Sequence, residues 1–322
     1  MNLQTQFKDR LLSLGLARVT EAAALSCVNH IGRGDEEGAD KAAVDAMRTQ
    51  LNLLDIDGTV VIGEGERDEA PMLFIGEKVG SGNGPKVDIA LDPLEGTSLT
   101  AKDMPNALTV IAMGPENSIL LAPDLYMQKL AIGPNYPPGI VHLDMEPSLI
   151  IKTLAKASGR LPQDLTVCIL ERPRHDNLIE EIRQTGASIR LIVDGDVAAI
   201  MHCSDPYRTG IDIYMGIGGA PEGVLAAAAL KCMGGQLYGR LVFRNDHETN
   251  KAKTMNIHDL ERIYSLDDLV QSDVIFSATG VTDGSLLKGI RRYSGYVETD
   301  TILLRSKTGS KRHMTYSHPL KC

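Results

Sequence analysis

The sequence predicts an α/β protein of two α/β units, on three observations. Beyond residue 160, apolar strands and amphipathic helices alternate in the strand–helix–strand order of an α/β layer. Before it, two helices are followed mostly by strands. The length of 322 residues, 43% of them hydrophobic, supports a sizeable core at the ~100–200 residues usual for one domain. The expected division is 1–160 as an N-terminal α/β unit and 161–322 as a C-terminal α/β unit, with one composite domain as the alternative. The chain would cross near the Pro/Gly-rich stretch 133–139 or the loop 159–162.

Along the chain, 18–31 and 39–54 carry helical periodicity, while 59–62 and 87–91 read as strands. Residues 106–113 with 118–121 predict a β-ribbon around Gly114-Pro115. Helices follow at 148–158, 176–185, 197–202 and 221–233, with strands at 166–170, 189–193, 211–214, 236–243, 274–279 and 301–304. The polar stretch 244–253 predicts an exposed loop, and the basic run 307–311 a solvated surface.

Composition excludes several function classes. Thirty-three Lys and Arg against 42 Asp and Glu give a net charge of −9, the wrong sign for a general attraction to nucleic acid or acidic membranes. The longest apolar run, 224–230, is far short of a membrane span of ~20 residues. Residues 1–18 lack the apolar core of a signal peptide. Five scattered cysteines, with no C-x-x-C pair, argue against a disulfide framework or a zinc site. A reduced, cytoplasmic protein is expected.

Three segments place carboxylates at the ends of buried elements, where an unpaired charge costs several kcal/mol and asks for a cation. Asp40 heads the helical stripe Val44, Met47, Leu51 and Leu54. An apolar strand then runs into Gly63-Glu64-Gly65-Glu66, followed by Asp68 and Glu69, and Glu64 lies immediately beyond the strand. The sharpest segment is Asp92-Pro93-Leu94-Glu95-Gly96-Thr97. Pro93 should stop the strand with Asp92 at its carboxyl end, and the turn returns Glu95 beside it. Gly96 offers a backbone N–H there, and Thr97 a hydroxyl. Oxygen donors without His or Cys suit Mg²⁺ or Mn²⁺.

Cationic and further acidic groups follow later strands. Arg172, Pro173 and Arg174 come after 166–170, at the carboxyl edge where α/β sheets present ligands, and guanidinium forks match phosphate oxygens. Asp194-Gly195-Asp196 ends the strand 189–193, placing two carboxylates where hydrogen bonds from a ligand's donors can be accepted. Glu222 follows Gly218-Gly219-Ala220-Pro221 in the first turn of a helix, with Pro221 expected at its first position. His175 reads as a core or capping histidine. Neither glycine-rich string has G-x-G-x-x-G spacing and no P-loop is present, which disfavours a nucleotide-dependent oxidoreductase.

The string D-P-L-E-G-T preceded by G-E-G-E resembles the metal motifs of the lithium-sensitive phosphatase superfamily, which includes inositol monophosphatases. Further strings are R-V-T-E-A-A-A (18–24), G-R-G-D (32–35), I-G-E-G-E-R-D-E-A-P-M (62–72) and R-P-R-H-D (172–176). With D-G-D-V-A-A (194–199), G-I-G-G-A-P-E-G-V (216–224) and I-F-S-A-T-G (275–280), they are similar to class II fructose-1,6-bisphosphatase of bacteria. One departure is Glu36, where close relatives are expected to carry a lysine.

The resemblance implies a layered αβαβα sugar-phosphatase sandwich and hydrolysis of fructose 1,6-bisphosphate to fructose 6-phosphate and phosphate in gluconeogenesis. It also implies two or more Mn²⁺ or Mg²⁺ ions and a homodimer. Asp40 and Glu64 would hold one ion, and Asp92, Glu95 and Glu222 the other. Thr97, paired with Asp68, would orient the attacking water. Substrate would be held by Glu95, Gly96, Thr97, Tyr126, Arg172, Pro173, Arg174, Asp194, Gly195, Asp196 and Gly219. The alternatives are a superfamily phosphatase for sedoheptulose bisphosphate, an inositol phosphate or a nucleotide 3′-phosphate, and a non-catalytic sugar-phosphate sensor.

Overall fold

Two helices come first in the computed structural model, which describes residues 3–65, 72–255 and 257–320. Helix α1 spans Leu3–Cys27 and α2 spans Glu36–Leu51. The Asp35 carboxylate accepts from the Gly38 N–H at 2.9 Å and caps α2. Strands β1 (Asp57–Ile62), β2 (Lys78–Val79) and β3 (Lys86–Glu95) follow, then the short helix α3 (Thr97–Ala101) and β4 (Leu108–Pro115).

The middle of the chain supplies β5 (Tyr126–Ile132), α4 (Pro147–Ser158), β6 (Thr166–Leu170), α5 (Asp176–Gln184) and β7 (Ser188–Ile192). Next come α6 (Asp196–His202), α7 (Pro206–Thr209), β8 (Ile213–Gly219), α8 (Ala220–Met233) and β9 (Gln236–Val242). Helix α9 (Asp246–Thr254), β10 (Ile263–Ser265) and α10 (Leu266–Leu269) complete that stretch. Strands β11 (Ile275–Gly280), β12 (Arg291–Tyr293), β13 (Tyr296–Arg305) and β14 (Ser310–Pro319) close the description.

These elements form an α/β protein of two units, each with its own mixed sheet. The first unit takes the described residues of Met1–Leu120 and Gln271–Cys322, and the second is Leu121–Val270. The division therefore falls elsewhere than the expected 160/161, and the chain crosses twice. Strand β5 pairs with β8 and β9, so the second unit has begun before residue 133. Strand β11 lies between β4 and β13, so the last stretch of chain belongs to the first sheet.

The first sheet has the order β12-β13-β11-β4-β3-β1-β2, with β14 along the other side of β13. Within it β1 and β3 are parallel neighbours. Helices α1 and α2 pack on one face, burying Leu16, Val19, Met47 and Leu51 among Val60, Ile89, Leu91 and Ile111. The stripe read from the sequence holds for Val44, Met47 and Leu51, while Leu54 lies past the helix end.

The second sheet runs β10-β9-β5-β8-β6-β7, with β6 parallel to β7 and β8. Helices α4 and α5 bury Ile150, Ile151, Leu154, Ile179 and Ile182 against Val167, Ile169 and Ile213. Helix α8 is apolar all round and packs with α6, α10, β5, β8 and β9.

Several local expectations need correcting. Strand β3 does not stop at Asp92 but continues to Glu95 through a register shift, which absorbs the N–H that Pro93 lacks. The 106–121 ribbon is only half formed. Strand β4 pairs with β3 and β11, and the buried Asp88 carboxylate takes the Ser118 and Ile119 N–H groups at 2.7 and 3.1 Å. The expected loop 244–253 is largely helix α9, capped by Asn245 accepting from the Glu248 N–H. The site-bearing element α8 begins at Ala220, so Pro221 is its second residue.

Candidate functional site

In the first unit the acids gather at the carboxyl ends of β1 and β3. The parallel register sets Ile62 opposite Ala90, so Glu64, just beyond β1, and Asp92, within β3, come at matching positions of neighbouring strands. Gly63 makes the exit possible, because a Cβ there would collide with the Leu73 carbonyl and meet Val60 Cγ1 at 2.7 Å. The Glu64 N–H then donates to Leu73 O at 3.1 Å, and Ile75 N to Gly65 O at 2.9 Å, fixing the loop. Past Asp92, its Oδ1 accepts from the Leu94 N–H at 3.0 Å, and Gly96 at φ +91° starts α3 with Thr97 as its first residue. This turn places carboxylate oxygens of Asp92 and Glu95 within 4.8 Å of one another.

Helix α2 brings the fourth acid. The α1–α2 loop is bonded to α3 through Gly32 N–Thr100 O at 2.9 Å and Gly34 N–Ala101 O at 2.8 Å. That ties the start of α2, and with it Asp40, to the helix that carries Thr97. Burial pushes the Asp40 carboxyl up. Glu64 is pushed up to about 9 by burial first, then by the charges of Asp92 and Asp40. Among the described residues, no Lys or Arg is among the groups acting on either charge. A nest of oxygen donors, partly desolvated and mutually repelling, is what a hard divalent cation relieves, so the residues fit Mg²⁺ or Mn²⁺. Asp68, the expected partner of Thr97, lies outside the described residues.

In the second unit the functional groups sit at the carboxyl ends of β6, β7, β8 and β9. Tyr126, at the start of antiparallel β5, faces Gly219 on one side and Val242 on the other. Arg174 follows β6, donates from Nε and Nη2 to Ile217 O at 3.0 and 2.7 Å, and lies 4.7 Å from the Tyr126 ring centroid. His175, 2% exposed, accepts from the Ile217 N–H at Nε2 (2.8 Å) and donates from Nδ1 to Leu170 O (2.7 Å). Burial lowers its pKa, so it is a neutral structural strut between β6 and β8, as its sequence setting indicates. Arg172 is not drawn to Tyr126: its Nη1 donates to Glu171 O at 2.9 Å.

The Asp194-Gly195-Asp196 turn departs from expectation. Gly195, at φ +84°, precedes α6, and Asp194 Oδ1 accepts from the Gly195 N–H at 3.1 Å. Asp196 is 4% exposed, and its Oδ2 accepts from Lys129 Nζ at 2.5 Å and Tyr214 Oη at 3.0 Å. That oxygen anchors the core and is not presented to a sugar. Lys129, wholly buried on β5, also donates to Gly219 O at 2.9 Å. The Glu222 carboxylate folds back so closely over Gly219 that a Cβ there would overlap its Oε2. Glycine at 219 leaves the Glu222 carboxylate room for this conformation at the head of α8.

Lys129, Tyr214, Arg244 and Glu248 went unnoticed in the sequence. For the last two a signal existed: Asn245 and Glu248 have the spacing of a helix start.

Comparison with known proteins bears on the whole chain. The family described as bacterial fructose-1,6-bisphosphatase, glpX-encoded, matches residues 10–318. A fructose-1,6-bisphosphatase class 2 of Haemophilus influenzae is 45% identical over 325 residues, covering 97% of this chain and 97% of its own. Fructose-1,6-bisphosphatase 1 class 2 of Escherichia coli K12 is 46% identical over 326 residues, covering 97% and 96%. The class 2 protein of Shigella flexneri matches to the same extent, 46% identical over 97% of this chain and 96% of its own. A likeness of this strength along nearly every residue decides the matter: the chain belongs to the glpX-encoded, class 2 family of bacterial fructose-1,6-bisphosphatases.

Proposed function

We propose that the chain hydrolyses fructose 1,6-bisphosphate to fructose 6-phosphate and phosphate, the gluconeogenic step, using divalent cations held by carboxylates. The observation that carries this reading is the convergence of Asp40, Glu64, Asp92 and Glu95 at the ends of two parallel strands in a chain of this family. Asp40 and Glu64 would hold one ion and Asp92, Glu95 and Glu222 a second, the metal being Mn²⁺ or Mg²⁺. When bound, such ions oppose the charge of the phosphoryl oxygens and make water a better nucleophile near neutral pH.

The remaining roles belong to the chain itself. The Thr97 hydroxyl, held at the start of α3, orients the attacking water and passes its proton to a carboxylate, for which Asp68 is the candidate. Gly96 and Glu95 border the reacting phosphoryl group. Arg174, Tyr126 and the Gly219 backbone hold the phosphate that is not cleaved. Arg172 and Pro173 shape the approach to that region, and Asp194 and Gly195 face the sugar. Asp196 supports these groups from the interior.

The test is phosphate release from fructose 1,6-bisphosphate by purified protein, alongside sedoheptulose 1,7-bisphosphate, inositol 1-phosphate and a nucleotide 3′-phosphate. Turnover should favour fructose 1,6-bisphosphate, vanish with a chelator and return with Mn²⁺ or Mg²⁺. Binding of sugar phosphate without turnover, or chelator-resistant activity, overturns the reading. Among the described residues no helix is long and apolar enough to cross a membrane. A cytoplasmic homodimer is our further reading, from the resemblance, and sedimentation equilibrium of the purified chain tests the dimer.

A further inference from the structure

The ring of Tyr126 carries two guanidinium groups. Arg174 Cζ and Arg244 Cζ each lie 4.7 Å from its centroid. The two arginines come from opposite neighbours of β5: Arg174 is bonded to Ile217 on β8, and Arg244 follows β9 by two residues. Placing two like charges on one ring is unfavourable unless something negative answers them. Arg174 has no carboxylate partner among the described ion pairs, its Nε and Nη2 being given to a neutral carbonyl. Arg244 has Glu248, whose Oε1 takes its Nε at 2.7 Å and lies 2.5 Å from its Nη2, with Asp124 acting from farther off.

Glu248 is itself firmly held. It is 6% exposed, and its Oε2 accepts the Arg244 N–H at 2.8 Å. Its position is set by the Asn245 cap of α9, whose side chain accepts from the Glu248 N–H at 2.9 Å. The Arg244 side chain is nevertheless 57% exposed, so a fixed guanidinium edge is presented to solvent over an aromatic platform.

We infer that Arg244 is a substrate-binding residue that joins Arg174 on Tyr126 to bind a sugar phosphate's uncleaved phosphate, with Glu248 as its positioning residue. This rests on the fructose-bisphosphatase reading above. Two guanidinium forks and one carboxylate leave a net positive edge, and planar N–H pairs match phosphate oxygens in a way an ammonium group does not. The ring fixes both forks from the side.

The experiment uses the full chain and three variants, Arg244→Ala, Arg244→Lys and Glu248→Gln, with two readouts. One is steady-state phosphate release from fructose 1,6-bisphosphate with Mn²⁺, and the other is calorimetric binding of fructose 6-phosphate, which retains the uncleaved phosphate. Arg244→Ala should raise KM and weaken fructose 6-phosphate binding ~10-fold or more, with kcat within about threefold and Tm within about 2 °C. Arg244→Lys should recover only part of the loss, and Glu248→Gln should fall between wild type and Arg244→Ala. A KM and a fructose 6-phosphate affinity both within twofold of wild type in Arg244→Ala overturn the inference. A wild type that binds fructose 6-phosphate through Arg244 yet releases no phosphate overturns the hydrolase reading and leaves the binding site standing.

Discussion

The two units solve the same geometrical problem with opposite charges. Each presents groups at the carboxyl ends of strands, where loops leave a sheet and backbone can turn freely. The first unit sets Asp40, Glu64, Asp92 and Glu95 there, with no basic side chain among the described residues acting on Asp40 or Glu64. The second sets Arg174 and Arg244 about Tyr126 and buries the Asp196 carboxylate against Lys129. A sugar bisphosphate is anionic at both ends, and under the proposed function each kind of surface would serve one of them: acids by recruiting cations for the end that is cleaved, arginines by direct contact with the end that is kept. The lesson is that charge sign alone does not tell which face binds an anion.

If the acids serve cations, the largest effects should come from the first unit. Chelation should abolish phosphate release, and Asp92→Ala or Glu95→Ala should lower kcat by at least ~10²-fold, since losing even an outer-shell partner of a metal costs 10–100-fold. A variant that keeps near-normal turnover, measured with saturating Mn²⁺, would remove its residue from the donor set.

The buried pair of the second unit should behave as structure. Lys129→Met should destabilise the protein by ~3–5 kcal/mol, because it strands the Asp196 charge, and Lys129→Met with Asp196→Leu should recover much of that loss. Denaturant unfolding reads both. Equal losses in the single and double variants would mean that the pair has no such role.

A smaller effect separates the neighbouring arginines. Arg174→Ala should raise KM for fructose 1,6-bisphosphate by roughly 10-fold or more, as charged hydrogen bonds are worth ~1.5–3 kcal/mol. Arg172, whose one side-chain bond among the described residues goes to the adjacent carbonyl, should on substitution by Ala shift KM no more than about threefold. Similar KM values for the two variants would erase the distinction.

The smallest effect concerns Glu21 on α1, 8% exposed beside Thr301, whose carboxyl is pushed up to about 7, chiefly by burial. Because the folded state holds this proton more tightly than the ordinary value of 4.5, its contribution to stability is complete below pH 4.5 and is lost as pH rises through 7. Glu21→Gln should therefore raise Tm relative to wild type at pH 8 and change it little at pH 5. The opposite pH trend in a melting series would refute the assignment.

Legibility followed the range of the forces involved. The Asp92–Thr97 turn could be read directly, since Pro93, Gly96 and the acids act within one turn of chain. The alternation from β6 to β9 was equally local. Strand β5 was not legible: Gln128 and Lys129 interrupt its apolar pattern, and Lys129 can be buried only because Asp196, far along the sequence, neutralises it. Strand β14 was hidden for a related reason. It pairs on one side with β13 and leaves most of its residues exposed, so it has little apolar face to recognise. Helix α9 is polar and buries only Ala252 and the arginine-bound Glu248 among its residues, so it has little apolar stripe to recognise. Arg174 was found through its position after β6, whereas Arg244 needed the β5–β9 register that sets Tyr126 opposite Val242.

The return of the chain to its first sheet bears on how the protein is made. Strand β11 fills the place between β4 and β13, and Gln271 N donates to Ser118 O at 2.8 Å where the polypeptide comes back. On the ribosome, β4 must therefore wait with an unsatisfied edge while Leu121–Val270 emerges, on the order of ten seconds at ~5–20 residues per second. The inserted unit, whose strands are contiguous in sequence, can finish folding during that pause. The usual order of vectorial folding is thereby inverted, with the part translated first being the last to close.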